Sequence, residues 1–222
     1  ANNQRALRTY LVSRATEVGA DGQAILGIGQ MRALEALDNG TLPANLETAH
    51  FNALSGLDRW GRIAGMVIMG RTLPAPAVIA KLQVALTGRP PNENNDNDSW
   101  WYPLTERVIR RPNGRSRMVM GEHHPDPIAE AIRWNICEAE LVQALGRGRG
   151  VNRTTNSPLQ VDLLTDIVLP VTANEVIDWA DLVPSRTDMM AARGVVLDNA
   201  ADRAKCFPEL WPTREIAKKD AK

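Results

Sequence analysis

The chain has 222 residues, 44% of them hydrophobic and 23% charged, and its 26 basic residues balance 26 acidic ones. That length can bury one good core with a small appendage, and the zero formal charge excludes whole-surface attraction to nucleic acid or membrane, so any such contact must come from a local patch. Cys137 and Cys206 lie far apart and form no CxxC pair, which gives no hint of a metal site or disulfide scaffold and fits a reducing cytoplasm. No apolar run approaches a membrane span and no signal peptide opens the chain. Ala1 in place of Met suggests a tag remnant or an excised fragment.

In chain order, "NNQRALRTYLVSRATEVGA" has apolar residues at helical spacing and predicts a helix stopping at Gly19. "QAILGIG" (23–29) followed directly by "QMRALEALDNG" reads as a strand and a helix, the βα unit of a parallel sheet. "LETAHFNA" (46–53) and "AGMVIMG" (64–70) predict two further strands, joined by the turn "GLDRWGR". "PAPAVIAKLQVALTG" predicts a helix that starts at prolines and stops at Gly88. "RPPNENNDNDS" is polar and turn-rich, and "WWYPLTERVIRRPNGRSRMVMGE" alternates about "PNG" as a β-hairpin does. Residues 89–126 therefore read as an insertion. "IAEAIRWNICEAELVQALGR" predicts one long amphipathic helix, "VDLLTDIVLP" (161–170) a last strand, and the chain from about 172 a helical extension with proline breaks. Strands alternating with helices indicate an α/β three-layer sandwich, with a core over residues 1–171 and the extension over 172–222.

The chemistry concentrates in "QALGRGRGVNR" (143–153). A phosphate cradle follows a strand and ends in Gly-Lys-Ser/Thr at a helix start; this loop follows a helix, lacks lysine, and no GxxxxGK[ST] occurs anywhere in the chain. Arginines aimed at phosphates held by another domain are a second reading, because the planar, permanently charged guanidinium binds phosphate oxygens bidentately and stabilises charge developed in phosphoryl transfer. A solvated turn is the third.

"QALGRGR" resembles the last motif of superfamily-2 helicases, Q-x-x-G-R followed by another arginine, with Gln143, Gly146 and Arg147 on its fixed positions. The family's second arginine falls three residues after the first; here that position is Gly150, so Arg149 and Arg153 are both candidates. "HFNALSGLDRWGRIAGMVIMGRTLPAP" is similar to the family segment that carries a small residue-Gly-x-Asp turn, with Gly56 and Asp58 on it. Over about residues 20–170 the resemblance implies the second, C-terminal RecA-like domain of an ATP-dependent helicase or translocase. Arg147 would be an arginine finger, Arg149 or Arg153 its companion, and Gln143 a nucleotide sensor. Gly56, Asp58, Gly146 and Arg153 would meet the nucleotide side of the cleft. ATP with Mg2+ would be bound mainly by a preceding RecA-like domain, so this chain alone would not hydrolyse it.

Single-stranded or forked nucleic acid, DNA above all, is the expected partner, through Trp101 and the hairpin arginines Arg110, Arg111 and Arg115 beside Arg107 and Arg117. The bland alternative has Trp100 and Trp101 packing the insertion onto its own body. "GEHHPDP" offers Glu122, His123, His124 and Asp126, but adjacent histidines point to different sides and no second ligand cluster stands near, so no metal is expected. His50 reads as a structural polar contact. A different function class stays open: a non-catalytic α/β module that binds nucleic acid or protein.

Overall fold

Residues 25–29, ILGIG, are apolar or glycine throughout, as a strand covered on both faces requires, and they form β1 (Ile25–Gly29) with every residue buried. The computed structural model describes residues 2–18, 22–38, 42–54, 56, 59–92 and 101–220. In it β1 lies between β2 (Leu46–His50) and β3 (Gly65–Met69), and β6 (Gln160–Leu164) pairs with the far side of β3. All three pairings are parallel, in the order β2-β1-β3-β6. The order reverses between β1 and β3, which makes that point the topological switch.

The period-two alternation of a strand sends its side chains to two cores. Leu26, Ile28, Met66 and Ile68 pack on one face with Phe51, Trp60 and, from α5 (Glu138–Gly146), Leu141 and Ala144. Ile25, Val67 and Met69 pack on the other with Tyr10, Leu11 and Ala15 of α1 (Asn2–Val18) and Leu34 and Leu37 of α2 (Met31–Leu37). The chain is thus an α/β protein with a four-stranded parallel sheet flanked by helices. No helix among the described residues is long and apolar enough to cross a membrane.

The helix predicted after the prolines is α3 (Pro76–Thr87), closed by Gly88 at φ 71°, whose N–H bonds the Val84 carbonyl. The expected hairpin is a separate two-stranded antiparallel sheet, β4 (Leu104–Arg110) and β5 (Ser116–Glu122), turning through Pro112–Gly114.

Two elements differ from expectation. The single long helix is broken at Cys137 into α4 (Pro127–Ile136) and α5. Thr72 Oγ1 donates to the Ile136 carbonyl at 2.6 Å, and a side chain entering the i→i−4 ladder is a recognised cause of a kink. The last strand ends at Leu164 rather than continuing to 170, because Leu164 faces Met69, the final residue of β3, and its carbonyl takes the turn N–H of Gly70. Beyond it the extension carries α6 (Trp179–Leu182), α7 (Arg186–Ala191), α8 (Ala200–Cys206) and α9 (Arg214–Lys219).

Candidate functional site

α5 runs back along the sheet and releases the chain at Arg147, and β6 begins at Gln160 beside Gly65, the first residue of β3. The arginine loop therefore lies at the rim where the strands start. The β2–β3 connection crosses to the same rim, and a Cβ built on its Gly61 would lie 3.6 Å from Arg149 Cγ. The β2–β3 connection and the arginine loop thus meet at Gly61 and Arg149. Gly56 is exposed at φ 76° on that connection; Asp58 lies outside the described residues.

The loop is built rather than slack. Gly148 is buried, and a Cβ there would overlap the Leu159 side chain and press on the Met66 methyl at 3.1 Å. Arg153 Nε and Nη2 donate to the Gly148 carbonyl at 3.0 and 2.9 Å, so its guanidinium clamps the loop from within. Arg149 is exposed and left-handed at φ 53°, ψ 46°, a strained conformation for a residue with a Cβ. Strained backbone held in place by its surroundings is a feature of functional loops. Gln143 and Arg147 are four residues apart at the end of α5 and so share a face, with Gln143 exposed and Arg147 half-buried. At Gly146 a Cβ would meet nothing within 4 Å.

The opposite rim, where strands end, holds the base of the hairpin. Arg71, just past β3, pairs with Glu122 at 2.5 Å and with Asp166 at 3.1 Å, and Trp101 Nε1 donates to Glu122 at 2.5 Å. Trp101 also meets Tyr102 edge-on, and Tyr102 is buried with its hydroxyl on the Pro74 carbonyl. The Trp101 indole thus packs the hairpin onto the body; Trp100 lies outside the described residues. Arg107 pairs with Glu130 and Arg117 with Asp178, whereas Arg110, Arg111 and Arg115 make no ion pair among the described residues.

"GEHHPDP" builds the start of α4. Asp126 caps it through the amides of Ile128 and Ala129 and also accepts from Asn92 N–H; these bonds, that from Asn92 foremost, hold its carboxyl below the usual range. Burial pushes the His124 pKa down, and its Nδ1 accepts from the Asp126 amide. Among the described residues no group of three or more His, Cys, Asp or Glu is placed to hold a metal. His50 Nδ1 lies 2.9 Å from the Phe51 carbonyl.

Sequence reasoning missed a buried charge network beneath these residues. Arg133, fully buried, binds Glu130 at 2.7 Å and Glu138 at 2.5 Å and stands over the Tyr102 ring at 5.9 Å. The signal was an arginine at the apolar spacing of α4, one helical turn after the buried Ala129, which its charge alone assigns to solvent. A groove of about 1120 Å³ between α1 and the extension was also unforeseen. Its floor is closed by Tyr10 and Arg14 on Asp162, at 3.0 and 2.6 Å.

Comparison of the chain with family models, with curated proteins and with solved structures returns no match.

Proposed function

We propose that the chain is the second RecA-like domain of an ATP-dependent nucleic-acid helicase or translocase, presenting Arg147 and Arg149 to a nucleotide held mainly by a preceding RecA-like domain. The observation that carries this reading is the position of the loop. Ligands of an open α/β sheet bind outside the carboxyl ends of the strands, whereas this arginine loop is rigidly packed at the opposite rim. Arg149 is exposed on this loop and Arg147 half-buried beside it, and in this reading both meet phosphates that another domain supplies.

The chain's own residues fit only the anionic side of ATP. It lacks a phosphate-binding loop, and its arginines suit the γ-phosphate oxygens on which charge accumulates as the phosphoryl group transfers. Arg147 on the end of α5 serves as the finger and Arg149 as its companion. Arg153, spent on Gly148, orients the loop instead of touching nucleotide. Gln143, one turn before Arg147, aligns with the same phosphate. Gly56 and Asp58 join this cleft to the nucleic-acid strand. Mg2+ would be held with ATP by the preceding domain.

The test is ATP turnover by the protein in which this chain is joined to that domain, with and without single-stranded DNA, for wild type and Arg147→Ala. Stimulated turnover that falls about 10³-fold or more in the variant, with nucleotide still bound, supports the finger. Turnover that is absent or unaffected removes it. A second reading, a non-catalytic α/β binding module, is favoured by the hairpin arginines Arg110, Arg111 and Arg115, which make no ion pair among the described residues.

A further inference from the structure

The β4–β5 ribbon is firmly held, yet its side chains on one side are exposed among the described residues. Its inner rows, Thr105–Gly121, Arg107–Val119 and Ile109–Arg117, face the body. Arg107 is tied to Glu130 at 3.1 Å, Arg117 to Asp178 at 2.8 Å, and the Arg110 carbonyl accepts from Ala173 N–H at 2.9 Å. The outer rows run Glu106–Met120, Val108–Met118 and Arg110–Ser116, with Leu104 at their end. On this face Leu104 is 59% exposed, Val108 52%, Met118 59% and Met120 55%.

An apolar sheet face rimmed by charge marks an interaction site. Two features define what fits it. Arg110, Arg111 and Arg115 gather at the tip without an ion pair among the described residues, and guanidinium forks match carboxylates bidentately. Glu106 is the carboxylate of the face, set away from the tip. The apolar part is aliphatic and methionine, an adaptable surface for apolar side chains, and carries no ring on which a nucleobase would stack. The neighbouring rings among the described residues, Trp101 and Tyr102, are engaged in packing. Four such side chains also fall well short of the ~800 Å² per partner of a standard interface, which suits a short segment better than a second folded copy.

We propose that the outer face of β4–β5 docks an acidic protein segment, with one or two large apolar side chains seated on Val108, Met118 and Met120 and flanking carboxylates on Arg110, Arg111 and Arg115. This goes beyond the ATPase reading and does not depend on it.

A pool of random 12-residue peptides is selected on the full chain, and the enriched peptides are titrated against wild type, Met118→Gln/Met120→Gln and Arg110→Ala/Arg115→Ala. All substituted side chains are solvent-exposed, so the variants keep the fold, as circular dichroism verifies. The expected result is enrichment of peptides with two or more Asp or Glu around a Leu, Ile, Phe or Trp. Their affinity should fall about tenfold or more in each double variant. Peptides without carboxylates, or binding that either variant leaves unchanged, overturn the proposal. So does a (dT)12 oligonucleotide that displaces the peptides and binds independently of Met118 and Met120, which makes the face a nucleic-acid site. Sedimentation showing a dimer that the methionine variant dissolves overturns it in favour of a second copy.

Discussion

Arg149 occupies a backbone conformation that costs a residue with a Cβ about 1–2 kcal/mol. Glycine takes the same conformation freely. Arg149→Gly should therefore raise the unfolding free energy by about 1 kcal/mol in chemical denaturation, while lowering the ATP turnover of the two-domain protein. A gain in stability with turnover intact would leave Arg149 a turn residue and remove it from the phosphate site. The sequence supplied both candidates for the second arginine, because spacing alone counts residues and cannot say where a guanidinium ends up. Arg153 differs from Arg149 by its two bonds to the Gly148 carbonyl, and Gly148 lies against the side chains of Leu159 and Met66. Such contacts between loop and strand carry no local pattern.

The elements read cleanly where pattern and physics coincide. β1, β3 and α3 were legible because an unbroken apolar run, or prolines followed by a terminal glycine, has few other solutions. The α4–α5 break was not, since Thr72, which diverts the Ile136 carbonyl, lies 64 residues away. Nor was the charge network on α4. Burial opposes the ionisation of Glu130, yet Arg133's hydrogen bonds, the His124 amide and the charges of Arg133 and His123 hold its pKa down at about 2. A carboxyl depressed from 4.5 to about 2 contributes about 3 kcal/mol at neutral pH. That stability is present above the unfolded value of 4.5 and is lost as the pH falls from there toward 2. Glu130→Gln should thus destabilise the protein by about 3 kcal/mol at pH 7, and its deficit should shrink as both proteins are titrated toward pH 2. A deficit independent of pH would place the cost in packing and not in the Arg133 ion pair.

At the scale of the whole molecule, the sheet packs into two cores and α3 and α4 into a smaller one with Tyr102, but the end of the extension has its own. Trp179 and Leu182 still pack against the core beneath α1, with Trp179 edge-on to Tyr10. From Met189 onward the apolar contacts turn inward: Met190, Leu210, Trp211 and Ala217 are buried among Met189, Leu197, Ala200, Ala204, Phe207 and Ile216, with no side chain from the sheet. Ties to the body are polar, through Arg5 on the Glu209 carbonyl. Trp211 is fully buried in this small core and donates to Asp220 at 2.8 Å. Trp211→Ala removes about 3–5 kcal/mol from a cluster with few other contacts, which is enough to open it locally without reaching the sheet. Hydrogen exchange should then show α8 and α9 losing amide protection while β1 and β3 retain theirs. Loss of protection spreading evenly into β1 and β3 would mean that the extension and the sheet unfold as one unit, coupled through α1 and the polar ties alone.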